Sequence, residues 1–301
     1  MDKFVKHKTH RVWKIQHAGW APLLNHLRQL SRRLRFADTL HKVRQLIHFG
    51  PWRILPIYLI RLLRPARDHF TATEPSLLGP VDAAAIANDI HNNSIAIVGV
   101  LPADFVVEVR QVTDKLPFNE YHLVHEVSPA LLRLTEDHGI KKILRAYLKC
   151  EPVLLEASLF VSRPETNLID RGQHSFHFDY AGWQSLNVFV YFTDVTEASS
   201  YHVVAKGSHR NISVSDILRG SLTEEEAARR YGDAIQNITG PAGTLFFENT
   251  EAFHRRHKGN ERRVMLNLLF ASHRSLLSYG RASRNQINSR NRAFENIADA
   301  S

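Results

Sequence analysis

His174-Ser-Phe-His177-Phe-Asp179-Tyr-Ala-Gly182 is the stretch on which the reading of this chain turns. It holds a His-x-Asp pair, His177 and Asp179. In an extended strand, residues i and i+2 point to the same face, so both side chains reach one metal ion. His174, three residues earlier, falls on the opposite face of such a strand and is not expected among the ligands. The chain continues as Leu186-Asn-Val-Phe-Val-Tyr-Phe-Thr-Asp-Val195, an apolar, β-branched and aromatic run. Similar runs at 153–161, 201–205, 235–238, 244–248 and 264–270 are read as strands. The turn Gly240-Pro-Ala-Gly243 feeds one of them, and Thr223-Glu-Glu-Glu226 is a capping box that starts a helix between them. Many short strands with turns between predict a mainly β sandwich or jelly roll with flanking helices.

A third ligand must come from elsewhere in the chain. His254 follows the 244–248 strand, and His257 is the alternative. Two histidines and one carboxylate leave three positions open on an octahedral Fe(II). Two of these serve a chelating co-substrate and one serves O2. The far end of such a co-substrate needs an anchor, and a carboxylate is best held by a bidentate guanidinium. Arg263 opens the strand after His254, while the adjacent Arg262 points the other way. Asn187 and Tyr191 share a strand face, and Asn267 lies on the face of Arg263. These three either line the co-substrate pocket or pack within the sheet. His209 is read as structural, fixing the turn after Gly207.

The ordered set of His177-x-Asp179, Lys206-Gly-Ser-His-Arg210, Gly243-Thr-Leu-Phe-Phe247, His254 and Arg263 resembles the phytanoyl-CoA dioxygenase-like Fe(II)/2-oxoglutarate oxygenases. The resemblance covers residues 175–272, with a further likeness at 95–116. It implies a double-stranded β-helix (a jelly-roll, cupin-like core) holding iron through His177, Asp179 and His254, which are then the catalytic residues. It implies 2-oxoglutarate as co-substrate, its distal carboxylate on Arg263, and its conversion by O2 to succinate and CO2 as the substrate is oxidised. Related halogenases resemble this pattern with a small residue in place of the carboxylate, so Asp179 points to hydroxylation.

Residues 1–80 have no counterpart in that core. Residues 1–71 hold 15 Lys or Arg and 3 acids, a balance of +12, while the rest holds 24 basic and 27 acidic residues. Leu23, Leu24, Leu27, Leu30 and Leu34, continued by Leu40, Val43, Leu46 and Ile47, recur at helical spacing with arginines between. Gly50-Pro51 breaks the pattern, and a second apolar and basic stretch runs to Arg64-Pro65. The expected organisation is a basic helical extension and linker over 1–80 and an oxygenase domain over 81–301, its helices including one over 82–91, one opened by Pro102 and a pair over 128–148 broken at Gly139. A leucine stripe flanked by arginines suits an anionic membrane surface. Such an arm with this core is similar to bacterial enzymes that hydroxylate the 3-deoxy-octulosonic acid (Kdo) sugar of lipopolysaccharide. A small-molecule or glycolipid substrate is therefore expected. No RNA or DNA motif accompanies the arm, so nucleic acid is not expected as a partner.

The readings set beside these are a solvated basic face packed on the core, an organellar presequence, and a non-catalytic jelly-roll adaptor that binds an anionic membrane or nucleic acid through the arm. One cysteine in 301 residues, Cys150, excludes a disulfide framework and a cysteine-rich metal site. No run approaches the roughly 20 apolar residues of a membrane span, and no secretory signal is evident. A cytoplasmic, peripherally membrane-associated location is expected.

Overall fold

The computed structural model describes residues 36–67, 75–118, 120–162 and 172–274, and the single position 288. The leucine stripe at 23–34 lies outside the described residues. The chain divides into two compact units, 1–45 and 46–301, each described by itself.

Helix α1 runs Phe36–Phe49 and ends at the Gly50-Pro51 break. A 3-10 turn over Pro51–Arg53 leads into helix α2, Ile54–Leu63. Helix α3, Ala83–Asn93, is capped by Asp82, whose carboxylate accepts from Ala84 N and Ala85 N. Strand β1, Ile95–Val100, precedes helix α4, Ala103–Thr113, and strand β2, Glu120–Leu123. Helices α5 (Val124–Val127), α6 (Pro129–Glu136) and α7 (His138–Leu148) follow. The break between the last two falls at Asp137 rather than at Gly139. Asp137 caps α7 at Ile140 N and also accepts from Ser76 Oγ and Leu77 N. Gly139 serves close packing instead, since a Cβ there would lie 2.3 Å from Ser76 Oγ.

The remaining strands are β3 (Val153–Ser162), β4 (Phe176–His177), β5 (Ser185–Tyr191), β6 (His202–Ala205), β7 (Ser221–Leu222), β8 (Ile235–Ile238), β9 (Thr244–Glu248), β10 (His254–Arg256) and β11 (Arg263–Ala271). Helices α8 (Val214–Arg219) and α9 (Glu224–Tyr231) interrupt them, each begun by a capping box. One antiparallel sheet has the order β1-β9-β5-β11-β3-β2 and the second has the order β7-β4-β10-β6-β8. This is a jelly roll, with helices added to one side.

Period-two alternation sorts each central strand between two cores. Leu186, Val188 and Val190 of β5 and Val264, Leu266 and Leu268 of β11 face the helices, where Ile90, Phe105, Leu134 and Leu144 cover them. Phe189 and Tyr191 face inward and meet Phe176, Val204 and Phe253 from the other sheet side. On β11 the inward set is Arg263, Met265, Asn267 and Leu269, all of which line one cavity. A one-residue slip would exchange these with the helix-facing leucines, so the register is strongly fixed.

Among the described residues no single helix is long and apolar enough to cross a membrane. The pieces 42–49 and 51–63 reach that length and composition only together, as a bent pair.

Candidate metal centre

His177 ends β4 and stands directly across from His254, the first residue of β10. Asp179 lies two residues past β4, outside any strand, so its convergence with His177 is not the strand alternation expected from sequence. It is held instead by its backbone N–H, which donates to Thr250 O at 2.7 Å. One ligand atom from each of His177, Asp179 and His254 lies within 4.8 Å of the others. The two imidazole rings are 4.5 Å apart, and His254 Nε2 is 3.7 Å from Asp179 Oδ2.

Both histidines are preset. His177 Nδ1 pairs with Ser175 O at 2.9 Å, and His254 Nδ1 pairs with Ala252 O at 2.9 Å. A carbonyl accepts only from an N–H, so the proton sits on Nδ1 and Nε2 is directed to the shared point. This is the arrangement that orients metal-bound imidazoles. Burial, and next the nearby His254, lower the pKa of His177 and keep it neutral. Burial pushes His254 down as well. The Asp179 and Glu248 carboxylates outweigh that effect and raise its pKa to about 9.

The alternatives fall away from this point. His257 stacks on Tyr201 at 4.2 Å and is absent from the cluster. His174 belongs to a 3-10 turn, Gly172–His174, rather than a strand. Its ring lies between Arg256 O and Arg256 Nη2, at 3.2 and 3.0 Å. His209 bonds His91 O beside the left-handed Gly207, a structural role as expected.

A cavity of about 360 Å³ opens on the cluster. Arg263 lines it, 2% exposed, with Nε and Nη1 lacking any hydrogen-bond partner among the described residues. Burial lowers its pKa to about 10, which leaves it charged at neutral pH. A buried cation with open donors is costly unless an anion completes it. Arg262 points away and donates to Thr113 O and Leu116 O at 2.8 and 2.9 Å. Asn187 and Asn267 line the cavity, joined by a 2.8 Å bond, and Thr250 Oγ1 donates to Asn187 Oδ1. Tyr191 does not line it. Its hydroxyl donates to Ile238 O and accepts from His202 N, behind Arg263.

Arg256 and His202 are among the cavity residues that escaped the sequence reading. Arg256 shares the inward face of β10 with His254, so the i, i+2 rule used for His177 would have found it. His202 lies beside His254, with ring centroids 5.3 Å apart, and meets the fully buried Glu248 at 2.6 Å. It opens β6, and only the pairing of β6 with β10 brings it to the site.

No family model matches the chain, and no curated protein matches its sequence. Its fold is similar to that of EctD from S. alaskensis with bound Fe, at 18% identity over 69% of this chain and 86% of that one, with a TM-score of 0.49. It is also similar to HygX from Streptomyces hygroscopicus with nickel and 2-oxoglutarate bound, at 14% identity over 62% and 86% of the two chains and a TM-score of 0.48. A third such structure is the non-heme alpha ketoglutarate dependent carbocyclase SnoK, at 13% identity over 65% and 86%, with a TM-score of 0.46. Likenesses this distant assign neither a reaction nor a substrate.

Proposed function

We propose that this chain is an Fe(II)/2-oxoglutarate-dependent oxygenase that hydroxylates a small or lipid-linked molecule at a membrane surface. One observation carries the reading. Two imidazoles, each with Nδ1 on a backbone carbonyl, and one carboxylate converge at the wall of a cavity that also holds a buried arginine with open donors. A donor set of two nitrogens and one oxygen with positions left open suits non-haem Fe(II). The buried guanidinium of Arg263, a cation with open donors, suits the far carboxylate of a dicarboxylic acid.

His177, Asp179 and His254 would hold the metal. With 2-oxoglutarate and O2, a bound Fe(II) supplies the oxidation of a substrate C–H bond while the co-substrate becomes succinate and CO2. The chain does the rest. Ser175 O and Ala252 O keep the two rings in the ligating tautomer. Arg263 fixes the direction of the co-substrate, and Tyr191 backs Arg263. Asn187 and Asn267, locked to each other, shape the wall beside it. Phe160, Phe189, Met265 and Leu269 exclude water from the cavity.

A non-catalytic adaptor would have no use for two preset tautomers or for a buried guanidinium with open donors, and the latter costs stability. For the substrate, the Kdo sugar of lipopolysaccharide is the first candidate. It carries a carboxylate, and Arg256 offers a second cation in the cavity. The test is succinate formation by the iron-loaded chain in the presence of Kdo-lipid, other glycolipid and acyl-CoA pools. Stimulation by one pool, absent in Asp179→Ala, is the expected result. No succinate with any pool, from protein that holds iron, would reject the oxygenase reading.

A further inference from the structure

Helix α2 is amphipathic in the inverted sense. Ile54, Leu55, Tyr58, Leu59, Leu62 and Leu63 form one face and are 47–81% exposed. With Trp52, which is 52% exposed, they make a continuous apolar strip that no described residue covers. The basic side chains turn the other way. Arg53 pairs with the buried Glu251 at 3.0 Å. Arg61 donates to Leu148 O and Gln184 Oε1, and Arg64 donates to Ser272 O. The expectation that these arginines reach out to head groups is reversed for Arg53, Arg61 and Arg64. They fasten the helix to the barrel, and the leucines are what it presents outward. An exposed apolar strip of this extent marks an interaction surface.

We propose that the 51–63 face is a docking surface for an anionic lipid bilayer, lying in the plane of the interface with its leucines in the acyl boundary. Three features select that occupant. Trp52 opens the strip and Tyr58 lies within it, and both side chains favour the boundary between acyl chain and head group. Residues 42–67 carry no acid, within a segment of net charge +12. A second copy docking here would bring two such segments together, whereas anionic head groups neutralise them. The four bonds of Arg53, Arg61 and Arg64 hold the helix along the barrel, which fits shallow in-plane insertion and opposes threading across the bilayer.

The surface is also tied to the metal loops. Phe49, just before the 3-10 turn, packs edge-on against Phe178 and Tyr180, the two neighbours of Asp179. Arg53 holds Glu251, three residues before His254. A docked α2 therefore fixes the site at a set place relative to the bilayer, as a lipid-borne substrate requires. The proposal sharpens the surface location put forward above and is independent of the oxygenase chemistry.

Flotation of the full chain with vesicles tests it. Phosphatidylethanolamine–phosphatidylglycerol vesicles are compared with pure phosphatidylcholine, for wild type, Leu55→Glu/Leu59→Glu, and a variant with Arg28, Arg32, Arg33 and Arg35 changed to glutamine. Wild type is expected to float with the anionic vesicles, and the double glutamate variant to lose about tenfold or more in partition. Unchanged thermal unfolding and metal binding in that variant show that it is folded. Flotation equal to wild type by the glutamate variant, with loss confined to the arginine variant, would overturn the proposal and leave surface binding to the arm. A concentration-dependent dimer that the glutamate variant dissolves would assign the face to a second copy and overturn it too. Flotation that depends on α2 in a protein without oxygenase activity would uphold the surface while the proposed reaction fails.

Discussion

Replacing Arg263 by methionine separates co-substrate binding from folding. The side chain is 2% exposed, and two of its donors, Nε and Nη1, have no partner among the described residues. Hydrogen bonds to charged groups are each worth about 1.5–3 kcal/mol. Nε–H and Nη1–H point to opposite edges of the guanidinium, so one of them reaches the carboxylate, worth roughly 1.5–3 kcal/mol or about 10–10² in affinity at 1.4 kcal/mol per decade. The KM for 2-oxoglutarate should rise by that factor while metal affinity is unchanged. The loss in folding energy is confined to the contact between Arg263 and Tyr191, whose hydroxyl keeps its bonds to Ile238 O and from His202 N. Removing an uncompensated buried charge offsets the remainder, so the ligand-free variant should unfold at or above the wild-type temperature. Arg262→Ala should do the opposite. It loses two bonds to carbonyls, both from one charged, part-buried Nη2, at a cost of about 1.5–3 kcal/mol of stability, with no change in KM. Succinate release over a range of 2-oxoglutarate concentrations, alongside thermal unfolding, reads both effects. A KM for Arg263→Met near wild type, with a raised KM for Arg262→Ala, would show that the β11 register has been misjudged by one residue.

Three further outcomes are expected. His177→Ala and Asp179→Ala should each weaken Fe(II) or Co(II) binding by more than the roughly 10–100-fold that loss of an outer-shell partner costs, whereas His257→Ala should bind metal as wild type does; equilibrium dialysis against the metal distinguishes them. Metal affinity should climb with pH and level off near 9, where the His254 proton is no longer in competition. In the metal-free chain the sign is reversed. The folded His254 pKa of about 9 exceeds the ordinary value near 6.5, so its stabilisation is complete below about 6.5 and is lost as pH rises to 9; flat profiles in metal titration and denaturant unfolding would contradict both statements. Arg53→Ala leaves Glu251 buried without its cation and should cost about 3–5 kcal/mol in urea unfolding. The loss should be greater at neutral than at acidic pH, because burial raises the Glu251 pKa and a proton relieves the charge.

The jelly roll was legible because period-two runs such as 186–191 and 264–270 carry apolar residues on both faces, one for the helices and one for the opposite sheet. The short strands were not. Phe176–His177 and His254–Arg256 are too brief to show a period, yet they form the pair that brings His177 and His254 together. His254 was separated from His257 in sequence only by its place before Arg263. In the structure the separation is made by Ala252 O, which sets the ring of one, and by Tyr201, which takes the ring of the other. Asp179 was found through a parity argument that does not apply to it, since a single backbone bond to Thr250 places it. The pair His202 and Glu248 had no signal in the sequence, because its two members are 46 residues apart and meet only where one sheet packs on the other. In α2 the composition was read correctly and its orientation was not. A stripe of leucine and arginine does not say which side meets the protein, and the carbonyls of Leu148 and Ser272 decide it.

The central claim is that one metal and one dicarboxylate bind together in the cavity between His177, Asp179, His254 and Arg263. Anaerobic calorimetric titration of 2-oxoglutarate into the Fe(II)-loaded chain tests it most directly. The expected result is one 2-oxoglutarate bound per chain, with binding lost on removal of the metal and in Asp179→Ala, and strongly weakened in Arg263→Met. Metal-loaded wild-type protein that takes up no 2-oxoglutarate, or that binds it equally well without metal and without Arg263, would contradict the account.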